Sequence, residues 1–123
     1  MQLFDRYAPY IHWGLRLSLA ATFIYHGWSK FPVDVAAAQM GMPVPVVWAV
    51  AFTEIASGLL LIAGGFGKDL LTRLGALGVI VIMLAAIYIV HLSSGWNVLT
   101  GGMEFQVLML ATGLYFLVKG NTA

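Results

Sequence analysis

The sequence predicts an all-α membrane protein: a four-transmembrane-helix bundle, both termini cytoplasmic, with a short interfacial helix between the first and second spans. Three observations predict it. The chain is 61% hydrophobic and 9% charged, whereas a soluble domain carries roughly a quarter charged residues. Its charges gather in short breaks that leave four apolar stretches, each near the ~20 residues that cross ~30 Å of hydrocarbon. Lys and Arg fall unevenly on alternate breaks, which sets an orientation.

The elements follow in order. Met1 to Pro9 reads as a short polar arm. The first span covers about residues 10–29. Asp5 and Arg6 precede it, Arg16 lies inside it, and no small-x-small cleavage site follows, so it reads as a retained helix rather than a signal peptide. The break KFPVDVAAAQMGMPVP holds Val33 to Met40, a short helix ended by Gly41 and placed at the interface. The second span covers about 44–65, with Pro43 and Pro45 suited to its first turn. Gly67-Lys68-Asp69 is a tight turn, and the third span covers about 70–91. SSGWNVLTGG is a second break, with Trp96 as an interfacial anchor. The fourth span, about 103–118, is short for a crossing. Residues 1–123 thus form a single membrane domain, with no room among them for a soluble catalytic domain.

With four spans, both termini share one side, and that side receives Arg6, Lys68, Arg73 and Lys119. The other side receives Lys30. The positive-inside bias puts both termini in the cytoplasm of a bacterial inner membrane.

Composition also excludes chemistry. Cys is absent, so disulfides, thiolate metal sites, iron–sulfur ligation and c-type haem attachment are excluded. Net charge is +1, which gives no reason to expect nucleic acid as a partner. The partners expected are the lipid bilayer and either membrane or redox subunits or further copies of this chain.

Two polar features stand out. Glu54 lies in the run VPVVWAVAFTEIASGLLLIAGGF, where a carboxylate costs several kcal/mol unless paired, protonated or facing a polar cavity. The first span carries His12, Arg16, Leu19, Phe23, His26 and Lys30 on one helical face. Counting from the span ends puts Arg16 ~20 Å and Glu54 ~15 Å below the same surface, at 1.5 Å per residue. An intramembrane ion pair of Arg16 and Glu54 is therefore expected. Such a pair serves helix register and specificity as readily as function.

Nearer the outer surface, His26, Lys30, His91 and Glu104 gather above Glu54. Together with Glu54 they are the candidates for binding a quinone or another small polar ligand, since they offer donors and acceptors for proton exchange. Blander roles exist for each: Glu104 suits a helix N-terminus, and His91 suits an interface. A bis-histidine haem at His26 and His91 is geometrically conceivable but not expected. No metal site is expected either, because no ligands fall at short spacing. The catalytic residues, if any, are not identified.

The segments RLSLAATFIYHGWSKF, GMPVP, EIASGLLLIAGGFGKDLLTRLGAL and GGMEF together resemble the DoxX family of small four-helix membrane proteins. Arg16, His26-Gly27, Lys30, Glu54, Gly58 and Gly101-Gly102-x-Glu104 occupy the positions of the family pattern. The resemblance implies a membrane subunit linked to thiosulfate:quinone oxidoreduction or a redox-stress complex, not an enzyme on its own. Quinone is the cofactor it implies, none being bound covalently. Without Cys, the chain offers no thiol for sulfur transfer. The rival readings are a non-catalytic anchor or assembly subunit of a larger complex, and a small transporter.

Overall fold

The computed structural model describes residues 1–123 and is all-α, without strands. Its helices are α1 (Gln2–Asp5), α2 (Ala8–Trp28), α3 (Val33–Met40), α4 (Val44–Gly64), α5 (Asp69–Ala86) and α6 (Glu104–Lys119). Each α-helix boundary of the four long helices lies close to the sequence expectation, apart from the end of α5. There the backbone loosens into a π-turn over Ile87–His91, then a 3-10 turn over Leu92–Ser94. The polar arm contains the one-turn α1, which the sequence reading did not anticipate.

Local chemistry sets these limits. Proline stands in the first turn of both α2 and α4, where its missing N–H leaves no helical bond unmade. Gly41 ends α3 at φ 66°, a left-handed conformation that an L side chain resists.

The four long helices pack in chain order, α2 on α4, α4 on α5 and α5 on α6, with α6 returning to touch α2. Leu19, Phe23, Leu61, Val79, Met109 and Phe116 form the shared core. The short helix α3 rests Val33 and Ala37 against Val47 of α4.

Small residues fix the register of α2 against α4. A Cβ on Gly27 would lie 2.8 Å from the Ala51 carbonyl oxygen and 3.1 Å from Glu54 Cβ. A Cβ on Gly58 would lie 2.8 Å from the Ala20 carbonyl oxygen. A Cβ on Gly65 would meet Trp13 and, at 2.9 Å, Arg16 Cδ. Close backbone approach through small residues is how helices associate where hydrophobic exclusion is weak. The antiparallel pair therefore sets Glu54 beside residues 26–27, and Arg16 beside the far end of α4.

Only 26 of 123 residues are buried, and Leu17, Phe52, Leu59, Val81 and Leu108 stand half exposed or more on outward faces. An apolar exterior of this extent suits hydrocarbon rather than water. Two helices, Val44–Gly64 and Asp69–Ser94, are long and apolar enough to cross a membrane. The polar stripe dilutes the hydropathy of α2, and α6 has 16 residues.

Candidate functional site

The stripe on α2 divides between the two ends of the helix assembly. At one end Lys30 follows the last turn of α2 and reaches back to Glu54 of α4. Its Nζ donates to Glu54 Oε2 at 2.7 Å and to the His26 carbonyl at 3.1 Å. The side chains of Lys30 and Glu54 retain 14% and 8% exposure. This is a charge-assisted pair, shorter and stronger than a neutral hydrogen bond.

The remaining exposure opens into a cavity of about 430 Å³ between α2, α4, α5 and α6, bordered by the end of α3. Thr22, His26, Lys30, Glu54, His91 and Gln106 supply its polar wall. Phe23, Val46, Val50, Ile82 and Phe105 are among its apolar residues, with Met40, Met42, Met83 and Met109. Methionine is unbranched and polarizable, so a methionine-rich wall adapts to irregular ligands. Mostly apolar walls with a few convergent polar groups are the usual make-up of small-molecule sites.

His91 is fixed by its neighbour. Its Nδ1 lies 2.7 Å from the Gly101 carbonyl oxygen. A carbonyl oxygen only accepts, so Nδ1 carries the proton. The π-turn over Ile87–His91 is the kind of local irregularity that recurs at functional sites. Gln106, one turn into α6, has a buried Oε1 with no hydrogen-bond partner. Sequence reasoning missed it, because a lone Gln in an apolar helix looks like an ordinary polar interruption.

At the other end, Arg16 is completely buried. It does not meet Glu54, and the expected Arg16–Glu54 pair is corrected by the register of α2 on α4. Sequence counting took the ends of the two helices as level. Instead α4 starts well beyond the end of α2, held there by α3. Arg16 and the part of α2 facing Glu54 are about ten residues apart, or ~15 Å.

Arg16 finds neutral acceptors. Its Nη1 donates to the Leu61 carbonyl at 2.6 Å and to Thr72 Oγ1 at 2.8 Å. Its Nη2 donates to Asn121 Oδ1 at 3.3 Å, and its Nε to His12 Nδ1 at 3.3 Å. The Phe116 ring lies 4.9 Å from the guanidinium carbon, within cation–π range. Leu61 belongs to the last turn of α4, whose carbonyls lack helical partners and carry the negative end of the helix dipole. Arg16 thus caps α4 from a neighbouring helix, and the dipole substitutes in part for a counter-ion.

Asn121 completes this end. Its Nδ2 donates to the Gly64 carbonyl at 2.8 Å, and its Oδ1 accepts from Thr72 Oγ1 at 2.6 Å. Its backbone N–H donates to Asp69 Oδ1 at 2.7 Å. Neither Thr72 nor Asn121 was recognised in the sequence, where they read as ordinary residues of a helix start and a polar tail.

Glu104 stands apart from the cavity group. It opens α6 and accepts the Val98 N–H at 2.6 Å, which makes it a loop-bracing residue. The four side chains the structure brings together from the expected set are therefore His26, Lys30, Glu54 and His91.

Fold and exterior define a helical membrane protein whose buried ion pair borders an apolar cavity. The DoxX family profile matches residues 12–92, well over half the chain, and the protein belongs to that family. The match includes Arg16, His26, Lys30, Glu54 and His91 and ends before Gly101-Gly102-Met103-Glu104. The chain is also 30% identical to an uncharacterized protein of Haemophilus influenzae over 129 aligned residues, covering 100% of this chain and 92% of that one. No solved structure matches it.

Proposed function

We propose that this protein is a four-span, single-domain subunit of the bacterial inner membrane that binds a quinone-type ligand for a redox-linked complex. The cavity carries this reading. About 430 Å³ of mostly apolar space, ending at His26, Lys30, Glu54 and His91, suits an amphipathic molecule with a polar ring and an apolar tail. A histidine, an ammonium and a carboxylate are also the groups that exchange protons with such a ring. The chain would supply binding and positioning, while a partner subunit supplies or accepts electrons.

Charge placement supports the orientation. Arg6, Lys68, Arg73 and Lys119 belong to the end where Arg16 is buried, and both termini lie there too. By the positive-inside rule this end is cytoplasmic and the cavity lies in the outer half of the membrane.

Extraction of the purified protein tests the binding reading. After purification in mild detergent, quinone should be recovered above the level carried by bulk lipid, and Glu54→Leu should reduce that recovery several-fold. Recovery equal to lipid background would defeat the reading. The anchor reading has one observation in its favour: Trp28, Phe31, Trp48 and Phe52 form an exposed aromatic row with successive ring centroids 5.9, 5.3 and 5.5 Å apart. A stoichiometric partner retained through that row, with no quinone, would support it instead.

A further inference from the structure

The hydrogen-bond inventory of the cavity discriminates between the oxidised and reduced forms of such a ligand. Resting on the binding role proposed above, we infer that the cavity is built for a hydroxyl head, that is, for the hydroquinone rather than the quinone.

Several donors and acceptors in the cavity wall are left unused by the protein. Glu54 Oε2 is taken by Lys30, while Glu54 Oε1 receives no hydrogen bond from the protein although the residue is buried. His91 Nδ1 holds the proton against the Gly101 carbonyl, so in the neutral ring Nε2 is an unfilled acceptor. With Glu54 ionised against Lys30 and the His91 ring neutral, both of these atoms only accept. On the donor side, Lys30 has used two of its three N–H groups, leaving one. His26 and Gln106 are adaptable, because an imidazole and an amide each offer both roles.

A quinone carbonyl accepts only. It would satisfy Lys30 and leave Glu54 Oε1 and His91 Nε2 facing it without a donor, which is costly for the buried carboxylate. A hydroxyl does both jobs. It donates to the carboxylate or the imidazole and accepts the remaining Lys30 N–H. The same logic explains why sites that hydrogen-bond a hydroxyl strongly reject analogues lacking it. The methionine wall is indifferent to the oxidation state of the ring and holds the tail in either case.

A preference for the reduced form has an electrical consequence. Each tenfold preference raises the two-electron midpoint potential of the bound couple by ~30 mV. The cavity would thus draw reduced ligand from the membrane and stabilise it against oxidation.

Calorimetric titration of the full-length protein in mild detergent, with oxygen excluded, tests the inference. The probes are a decyl-substituted benzoquinone, its hydroquinone and the bis-O-methyl ether of that hydroquinone. The hydroquinone should bind at least ~10-fold more tightly than the other two, the ratio expected for one lost charge-assisted hydrogen bond. In His91→Phe the preference for the hydroquinone over the quinone should shrink several-fold. Equal affinity for the three probes, or tighter binding of the quinone, would overturn the hydroxyl-head inference and leave quinone binding intact. Binding of none of the three overturns both, and the binding role fails first.

Discussion

The two ends of this helix assembly each enclose a cation, and they treat it in opposite ways. At one end Lys30 meets a carboxylate, and the pair borders open space. At the other, Arg16 meets only neutral oxygens, a histidine nitrogen and aromatic rings, and it is completely buried. The difference is one of geometry and donor number. Arginine presents five N–H groups in a rigid fork, so it can knit together α2, α4, α5 and the C-terminal turn at once. Lysine is a point charge on a flexible stem and can hold a carboxylate while keeping one donor free. The Lys30 end keeps a donor free beside open space, and the Arg16 end is a structural lock.

This contrast can be broken from the lock side first, where the largest effect is expected. Arg16→Ala strips donors from Leu61, Thr72 and Asn121 together and leaves a hole beside Phe116. A loss of ~3–5 kcal/mol follows from several unsatisfied buried acceptors plus a cavity. The check is unfolding in mixed detergent micelles followed by helical circular dichroism. A loss under ~1 kcal/mol would remove Arg16 from the role of lock.

Glu54→Leu comes next. It leaves the Lys30 ammonium without its partner in a low-dielectric wall, for an expected loss of ~2–3 kcal/mol. The double change Lys30→Met with Glu54→Leu should recover much of it, giving a coupling of ~1–3 kcal/mol in a double-mutant cycle. Additive losses would show that the short contact is not an energetic pair.

Asn121→Ala should cost ~1–2 kcal/mol, since its side chain joins Arg16, Thr72 and Gly64, and each such bond between membrane helices is modest. Ligand affinity at the opposite end should stay unchanged. A change of tenfold or more would mean that the two ends are coupled.

The smallest expected effect sharpens the comparison most. A cycle between Arg16 and Glu54 should be additive within ~0.5 kcal/mol, because the residues share no partner and lie about three helical turns apart. Coupling above ~1 kcal/mol would restore the direct pair that the helix register denies.

The sequence made much of this legible. Periodicity and apolar length placed the long helices, and Gly41 ended α3 as its position suggested. The α2 stripe marked a face that is buried at Arg16, Leu19 and Phe23, while His26 stays exposed. Its partners were legible only in part. Glu54 needed a cation, and two lay on that stripe. Choosing between them depended on the relative height of α2 and α4, which the loop length does not encode. Glu104 misled for a related reason: its place at the start of the fourth span put it with the outer-side group, but its carboxylate folds back onto Val98.

What the sequence determined by itself is the class of the molecule. Hydropathy, helix signals and the grouping of charges are local or summed properties, and each is read without knowing what touches what. Tertiary structure decided which cation meets which acceptor. Glycines at 27, 58 and 65 let α2 and α4 slide into a register governed by backbone contact, and that register sent Glu54 to Lys30 and Arg16 to the last turn of α4. A few ångströms along a helix axis separate those alternatives, and only the packed helices define them.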